Sequence, residues 1–202
     1  MKTLSIQGSG GRSDIHVGES LERLEHYIPA DRRIVIITDS VVQDLYGERF
    51  PNADVISIGT GEKIKTLATI QHILDQLIRM EADRSAFIAG VGGGIVSDIA
   101  GFAASVYLRG VDFGYVSTTL LAQVDASVGG KTGVNFGGYK NMVGVFNQPG
   151  FVICDTALLK TLPTAEIACG FAEIVKHAVI ADAGMFTFLE QNSQKALALS
   201  LI

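Results

Sequence analysis

Five short apolar runs recur along the chain, each parted from the next by enough residues for a helix. They are Ile34–Thr38, Val55–Ile58, Ala86–Ala89, Phe113–Val116 and Phe151–Ile153, with Leu4–Gln7 a further candidate strand near the start. The runs are continuously apolar rather than alternating. A strand of that kind buries both of its faces, which is the habit of parallel sheets covered by helices on either side. Between them, Leu67, Ile70, Ile73, Leu74, Leu77 and Ile78 return at helical spacing, and Ile95–Leu108 reads as a second helix. The expectation is an α/β fold with a Rossmann-like parallel sheet.

The texture changes near Pro163. Glu166–Ile180 and Met185–Leu201 read as two helices with no strand between or after them. Two domains are expected: residues 1–160 as the sheet domain and 161–202 as the beginning of a helical one. Two helices are too few to close a core of their own, so the chain reads as cut short, with an apolar surface prone to self-association.

Composition limits the function classes. With 48% hydrophobic and 18% charged residues, the chain affords a sizeable core. A formal net charge of −5 and the lack of a basic run argue against nucleic acid as a partner. Phe87–Leu108 is apolar enough to imitate a membrane span, but Gly92-Gly93-Gly94 and Asp98 interrupt it, so a buried strand, a turn and a buried helix are expected, with no membrane partner. Cys154 and Cys169 have neither CxxC nor zinc-ribbon spacing and are expected to be buried, reduced thiols, as in a cytoplasmic protein. The N-terminus lacks the apolar core of a signal peptide.

Ligands of open parallel sheets bind beyond the carboxyl ends of the strands. Asp39, Gly59–Lys65, Gly92–Asp98 and Ser117–Thr119 all fall at such ends. Three successive glycines there let a backbone approach a phosphate closely, or simply make a tight turn. Asp98, expected in the first turn of the next helix, suits a cap or a ribose hydroxyl. Glu62 and Lys65 read as a polar helix start or as a grip on ribose or phosphate. Lys131, between Gly129-Gly130 and Gly133, reads as an exposed lysine in a glycine-rich loop, with Lys140-Asn141 following a second glycine pair. Glu173, Lys176 and His177 share one helical face, where a Glu and a His at i, i+4 suit zinc or form an ordinary polar face; for His177 the ordinary face is preferred. His16, His26 and His72 read as surface residues.

Together these residues closely resemble the 3-dehydroquinate synthase family. The matching pieces are Gly61-Glu62-x-x-Lys65, Gly92-Gly93-Gly94-x-x-x-Asp98, Tyr107-x-Arg109-Gly110, Thr118-Thr119 through Asp125, Ser127 through Asn135, Lys140-Asn141, Gln148-Pro149 and Ala172-Glu173-x-x-Lys176. The resemblance implies a homodimeric, phosphate-releasing lyase of the shikimate pathway. It would convert 3-deoxy-D-arabino-heptulosonate 7-phosphate to 3-dehydroquinate, using NAD catalytically together with zinc or cobalt. By that match Asp39, Glu62, Lys65, Gly93, Gly94, Ile95, Asp98, Thr118, Thr119, Lys140, Thr161, Leu162 and Glu166 would surround NAD. Asp125, Lys131, Asn141 and Lys176 would hold the sugar phosphate, and Arg109 would reach the phosphate in a neighbouring subunit. Glu173 would be one metal ligand. Two histidines that complete the family's site have no counterpart after His177, so this chain alone is expected to lack a complete zinc site and turnover. A sister sugar-phosphate cyclase, a polyol dehydrogenase and a non-catalytic NAD-binding module are the other readings; the glycines around Lys131 favour the dehydroquinate enzyme.

Overall fold

The structure is a computed structural model that describes residues 1–8 and 10–197. Its centre is a seven-stranded sheet in the order β1 (Lys2–Gly8), β2 (Gly11–Val17), β9 (Phe151–Cys154), β6 (Phe113–Ser117), β5 (Phe87–Gly92), β3 (Ile34–Asp39), β4 (Asp54–Ile58). All neighbouring pairs are parallel except the β1–β2 hairpin. The chain runs outward from β3 to β4 and then returns to place β5 on the other side of β3. This reversal is the point at which open α/β sheets form their binding crevice.

The continuous apolar runs fill two cores. Val35, Ile37 and Ile88 face α2 (Leu67–Arg79) and α3 (Gly94–Val106), while Ile36, Phe87, Ala89 and Val91 face the other layer. That second layer consists of α1 (Ser40–Tyr46) and short helical turns at Leu21–Tyr27 and Thr156–Thr161. On α2, Ile70, Ile73 and Leu77 are buried, whereas Ile78, on the other side of the helix, is exposed. Among the described residues, no helix is long and apolar enough to cross a membrane.

Several expectations need correction. Residues 131–146 are not a glycine-rich loop but a separate hairpin of β7 (Lys131–Phe136) and β8 (Tyr139–Phe146), packed on α3. Gly133 and Gly144 face each other across its register, where a Cβ at Gly144 would lie 1.9 Å from the Thr132 carbonyl oxygen. β2, polar at four of its seven positions, also escapes a search for apolar runs. Cys154 is buried, and burial pushes its thiol up to about 11, but Cys169 is exposed. On α4 (Thr164–Ala181) the inward positions are Ile167, Gly170 and Ala178, which turns Cys169 outward. His16 is half-buried and its ring lies 4.4 Å from that of Tyr27. The last helix, α5 (Ala183–Leu197), matches the expected one through residue 197; residues 198–201 of that expectation lie outside the described residues.

Candidate active site

The glycine turn at the end of β5 is built by close approach. Gly93 caps α3 without a side chain, so no side chain covers the first amides of the helix. A Cβ on Gly93 would meet Thr119 Cγ2 at 2.9 Å, and one on Gly94 would meet Ala126 Cβ at 2.8 Å. Thr118 donates its amide to the Gly92 carbonyl at 2.9 Å, and the Thr119 hydroxyl accepts from the Ala122 amide at 3.2 Å. Ile95 follows on the first turn of α3 and is half-buried. At the neighbouring strand end, Asp39 caps α1 by accepting from the Val42 amide at 3.0 Å. Beneath the turn, the Ser127 hydroxyl bonds to Ser117 at 2.7 Å and to Ser97 at 3.1 Å, all three buried. The sequence marks the Ser117 strand end, the Gly92–Asp98 turn that holds Ser97, and the motif that begins at Ser127, but not the hydrogen bonds that join these three serines beneath the turn.

Lys65 is a buried charge, at 5% exposure. A short helical turn, Glu62–Ile64, follows β4 and folds Lys65 inward. Its ammonium pairs closely with Asp98 and donates to Asn141 Oδ1 at 2.6 Å. Asp98 therefore does not cap α3: it sits a turn too far along, where its side chain points at Lys65 rather than at the first amides. Burial pushes the Asp98 carboxyl above its ordinary value, and Lys65 pulls it part of the way back. The hairpin closes over this pair. Asn135 donates its backbone amide to the Lys65 carbonyl at 2.9 Å, and its side chain donates to Glu62 at 2.8 Å and accepts the Asn141 amide at 2.9 Å. The Asn135 hydrogen bond, with Lys140 and Lys65 nearby, lowers the Glu62 carboxyl. Lys140 lies 3.7 Å from Glu62 and is otherwise exposed.

A cleft of about 460 Å³ opens beside this network, with Asp98, Asp125, Lys131 and Asn141 among its lining residues. Lys131 is exposed at its mouth, as expected, although it starts a strand. Asp125 lies on a π-helical turn, Ala122–Ala126, a local geometry found often at functional sites. The turn packs against α4, where Glu173 carries the Lys176 ammonium against its carboxylate. His177 Nε2 lies 3.4 Å from Glu173 and 3.6 Å from Asp125. His177, which the sequence leaves as an ordinary polar residue, thus joins two candidate site residues. The i, i+4 spacing to Glu173 was the visible half of that signal; Asp125 comes from another element.

Other expected site residues lie elsewhere. Thr161 donates to the Leu158 carbonyl at 3.2 Å and touches the Tyr46 hydroxyl, anchoring the base of α4 to α1. Leu162 packs on the small core of Leu120, Leu159 and Ile167, and Glu166 is exposed on the first turn of α4. Arg109 is exposed in a left-handed turn beyond the far end of α3, about 20 Å from the glycine turn by the helical rise. It is not among the residues that line the cleft.

A family model described as 3-dehydroquinate synthase N-terminal matches residues 55–169, more than half of the chain. A 3-dehydroquinate synthase of Pseudomonas fluorescens is 44% identical over 98% of this chain and 57% of its own length. The chain thus spans a little over half the length of the curated relatives it matches. Among solved structures, 2-epi-5-epi-valiolone synthase from Streptomyces hygroscopicus, with NAD+ and Zn2+ bound, superposes with a TM-score of 0.84 at 30% identity, covering 92% of this chain and 54% of that one. A 2-deoxy-scyllo-inosose synthase complexed with carbaglucose-6-phosphate, NAD+ and Co2+ gives 0.78 at 32% identity, covering 89% and 52%.

Proposed function

The chain belongs to the 3-dehydroquinate synthase family, and on that premise we propose that it forms the NAD-binding part of a cytoplasmic, homodimeric 3-dehydroquinate synthase, with α4 and α5 opening the metal and substrate domain. The observation that carries this reading is buried Lys65, held by half-buried Asp98 and by Asn141, beside an uncapped glycine turn at the sheet's reversal point. Burying an ammonium is unfavourable unless it is paired and hydrogen-bonded, and such charges cluster at functional sites.

The residues fit both groups that the family implies. NAD is a diphosphate that needs close backbone approach and free amides, and the Gly93–Gly94 cradle, which a Cβ would fill, meets that need. Glu62, Lys140, Thr118 and Thr119 rim the same end. Glu173 fits a metal: its Oε1 is buried and makes no hydrogen bond of good geometry, although the Lys176 ammonium lies against it. NAD would supply a reversible hydride acceptor, and the metal a Lewis acid for the substrate's hydroxyls.

The chain's own residues then have distinct tasks. Lys131, at the mouth of the cleft, offers an ammonium to the sugar phosphate, and Asn141 offers an amide to its hydroxyls. Lys65 holds Asn141 in place and keeps a positive charge beside the cofactor end. Lys176 can leave Glu173 to meet an anionic substrate. Arg109, outside its own cleft, suits the phosphate bound by a second copy. Titrating NAD+ into the chain by calorimetry tests the reading. Saturable binding that Gly94→Val abolishes in a protein still folded by circular dichroism is expected; a folded chain that takes up no NAD+ overturns it. A phosphate-release assay with the heptulosonate phosphate, NAD+ and zinc tests the separate expectation that this chain alone does not turn over.

A further inference from the structure

The π-helical turn that carries Asp125 is fastened to the glycine cradle on one side and to the sheet on the other. Toward the cradle, Thr119 and Ala126 stand where a Cβ on Gly93 and on Gly94 would go. Ser127, which ends the turn, shares a hydrogen bond with the Ser97 hydroxyl at 3.1 Å. The Ser97 amide in turn closes the first turn of α3 on the Gly93 carbonyl at 3.1 Å. Toward the sheet, Gln123 donates its side-chain amide to the Ser117 carbonyl at the end of β6 and to the Asp155 carbonyl just past β9, both at 3.0 Å. The Ser127 hydroxyl also meets that of Ser117 at 2.7 Å. Ser97, Ser117 and Ser127 are at most 2% exposed, so each of these bonds lies where an unmade one is costly. A π-helical turn is a rare geometry, and these anchors are what hold it. They leave Asp125 itself outside: 47% of its side chain is in solvent, and it lines the cleft.

We propose that Gln123 and Ser127 are positioning residues that make the glycine cradle and the Asp125 turn one unit, so that NAD+ settling on the cradle also fixes how Asp125 meets the sugar phosphate. The proposal rests on the cofactor reading above and gives both side chains a role that the family resemblance does not. The link runs both ways, since a connection through which the cofactor orders the turn is also one through which an occupied turn tightens the cofactor.

Hydrogen exchange of the 202-residue chain with and without NAD+, read by mass spectrometry, tests the link. NAD+ should slow exchange at residues 93–97 and, in the same titration, at residues 122–128. Ser127→Ala, checked for folding by circular dichroism, should keep the slowing at 93–97 and lose it at 122–128. It should also bind NAD+ about two- to tenfold more weakly, the range that one lost hydrogen bond spans. Ser97→Ala cuts the same link from the helix side and should behave alike, and Gln123→Met, which keeps the length without the donors, should also lose the slowing at the turn. Ser105→Ala is the control: it removes a hydroxyl that donates to the Gly101 carbonyl at 2.6 Å on the same helix, and both effects of NAD+ should survive it. A purely structural role would let Ser105→Ala and Ser127→Ala act alike. Exchange at 122–128 unchanged when NAD+ binds the parent, or full slowing there in both Ser127→Ala and Ser97→Ala, overturns the proposal and leaves the cofactor reading standing. A folded chain that takes up no NAD+ overturns both.

Discussion

The two ends of the central sheet carry similar charges in opposite settings. At the amino end, Arg33 pairs with Asp54 at 2.6 Å and Arg32 with Asp112, and both arginines and Asp54 line a cavity of about 660 Å³. These partners are substantially exposed; Asp112 has 66% of its side chain in solvent. At the carboxyl end, the Lys65–Asp98 pair is 6% and 21% exposed beside a smaller cleft. The larger hole is the weaker candidate, because its arginines already face carboxylates in water, where such pairs contribute little. What marks the carboxyl end is not the number of charges but the burial of one that could have stayed outside.

Lys65→Met should separate the two ends most strongly. It leaves Asp98 partly buried without its counter-charge, and about 3–5 kcal/mol of stability should be lost at neutral pH. Without Lys65 the Asp98 carboxyl rises further above its unfolded value. A group with a raised folded pKa takes up a proton on folding, so stability falls as pH climbs from the ordinary carboxylate range through the folded value. The deficit of Lys65→Met should therefore shrink on acidification. Adding Asp98→Asn should recover part of it, by about 1–3 kcal/mol relative to the sum of the single changes. Urea unfolding at two pH values decides the matter, and a pH-independent deficit would break the comparison.

Gly94→Ala probes the same end through packing. Its Cβ would lie 2.8 Å from that of Ala126, and two backbones must part to admit it. A loss of about 1–3 kcal/mol is expected, with a larger proportional loss of NAD+ affinity. Gly61→Ala has no atom within 4 Å of the new Cβ and strains only its positive φ of 78°, so NAD+ calorimetry on the pair separates crowding of the cradle from general weakening.

Much of this end was legible in the sequence because it lies on regular elements. The five apolar runs give the strands, and their ends deliver Asp39, Glu62, Lys65 and the Gly92–Gly94 turn to one edge without any knowledge of side-chain contacts. The hairpin was not legible, since glycines at 133, 137, 138 and 144 interrupt Lys131–Phe146 and its register comes from packing on α3. Asp98 falls just past the first turn, because α3 begins at Gly94 rather than Ile95, and periodicity fixes where a helix lies better than where it begins. Cys169 was read as buried because its own type favours burial, whereas the facing of α4 is decided by Ile167 and Gly170. The Asp125–His177 contact joins positions on a π-helical turn and on α4, and no local pattern reports such a meeting.

Asp112→Asn is expected to change stability by no more than about 1 kcal/mol, and by less as salt rises, since its pair with Arg32 is solvated. A larger loss in urea unfolding would mean that the amino end is organised as tightly as the carboxyl end.

Glu62→Gln should have the smallest effect, with a sign opposite to that of Asp98. The Glu62 carboxyl is lowered, first by Asn135 and then by the charges of Lys140 and Lys65. A depressed folded pKa contributes stability that is present above the unfolded value and disappears as pH falls through the folded one. With 44% of its side chain exposed, most of that contribution is screened. The parent should therefore exceed Glu62→Gln slightly at neutral pH, and the gap should close in acid because the parent loses the Glu62 contribution, whereas the Lys65→Met gap closes because the variant's unpaired Asp98 is relieved by protonation. If the Lys65→Met gap also closes only through weakening of the parent, the buried and the rim charges at this end do not differ in kind, and burial alone is not what distinguishes the site.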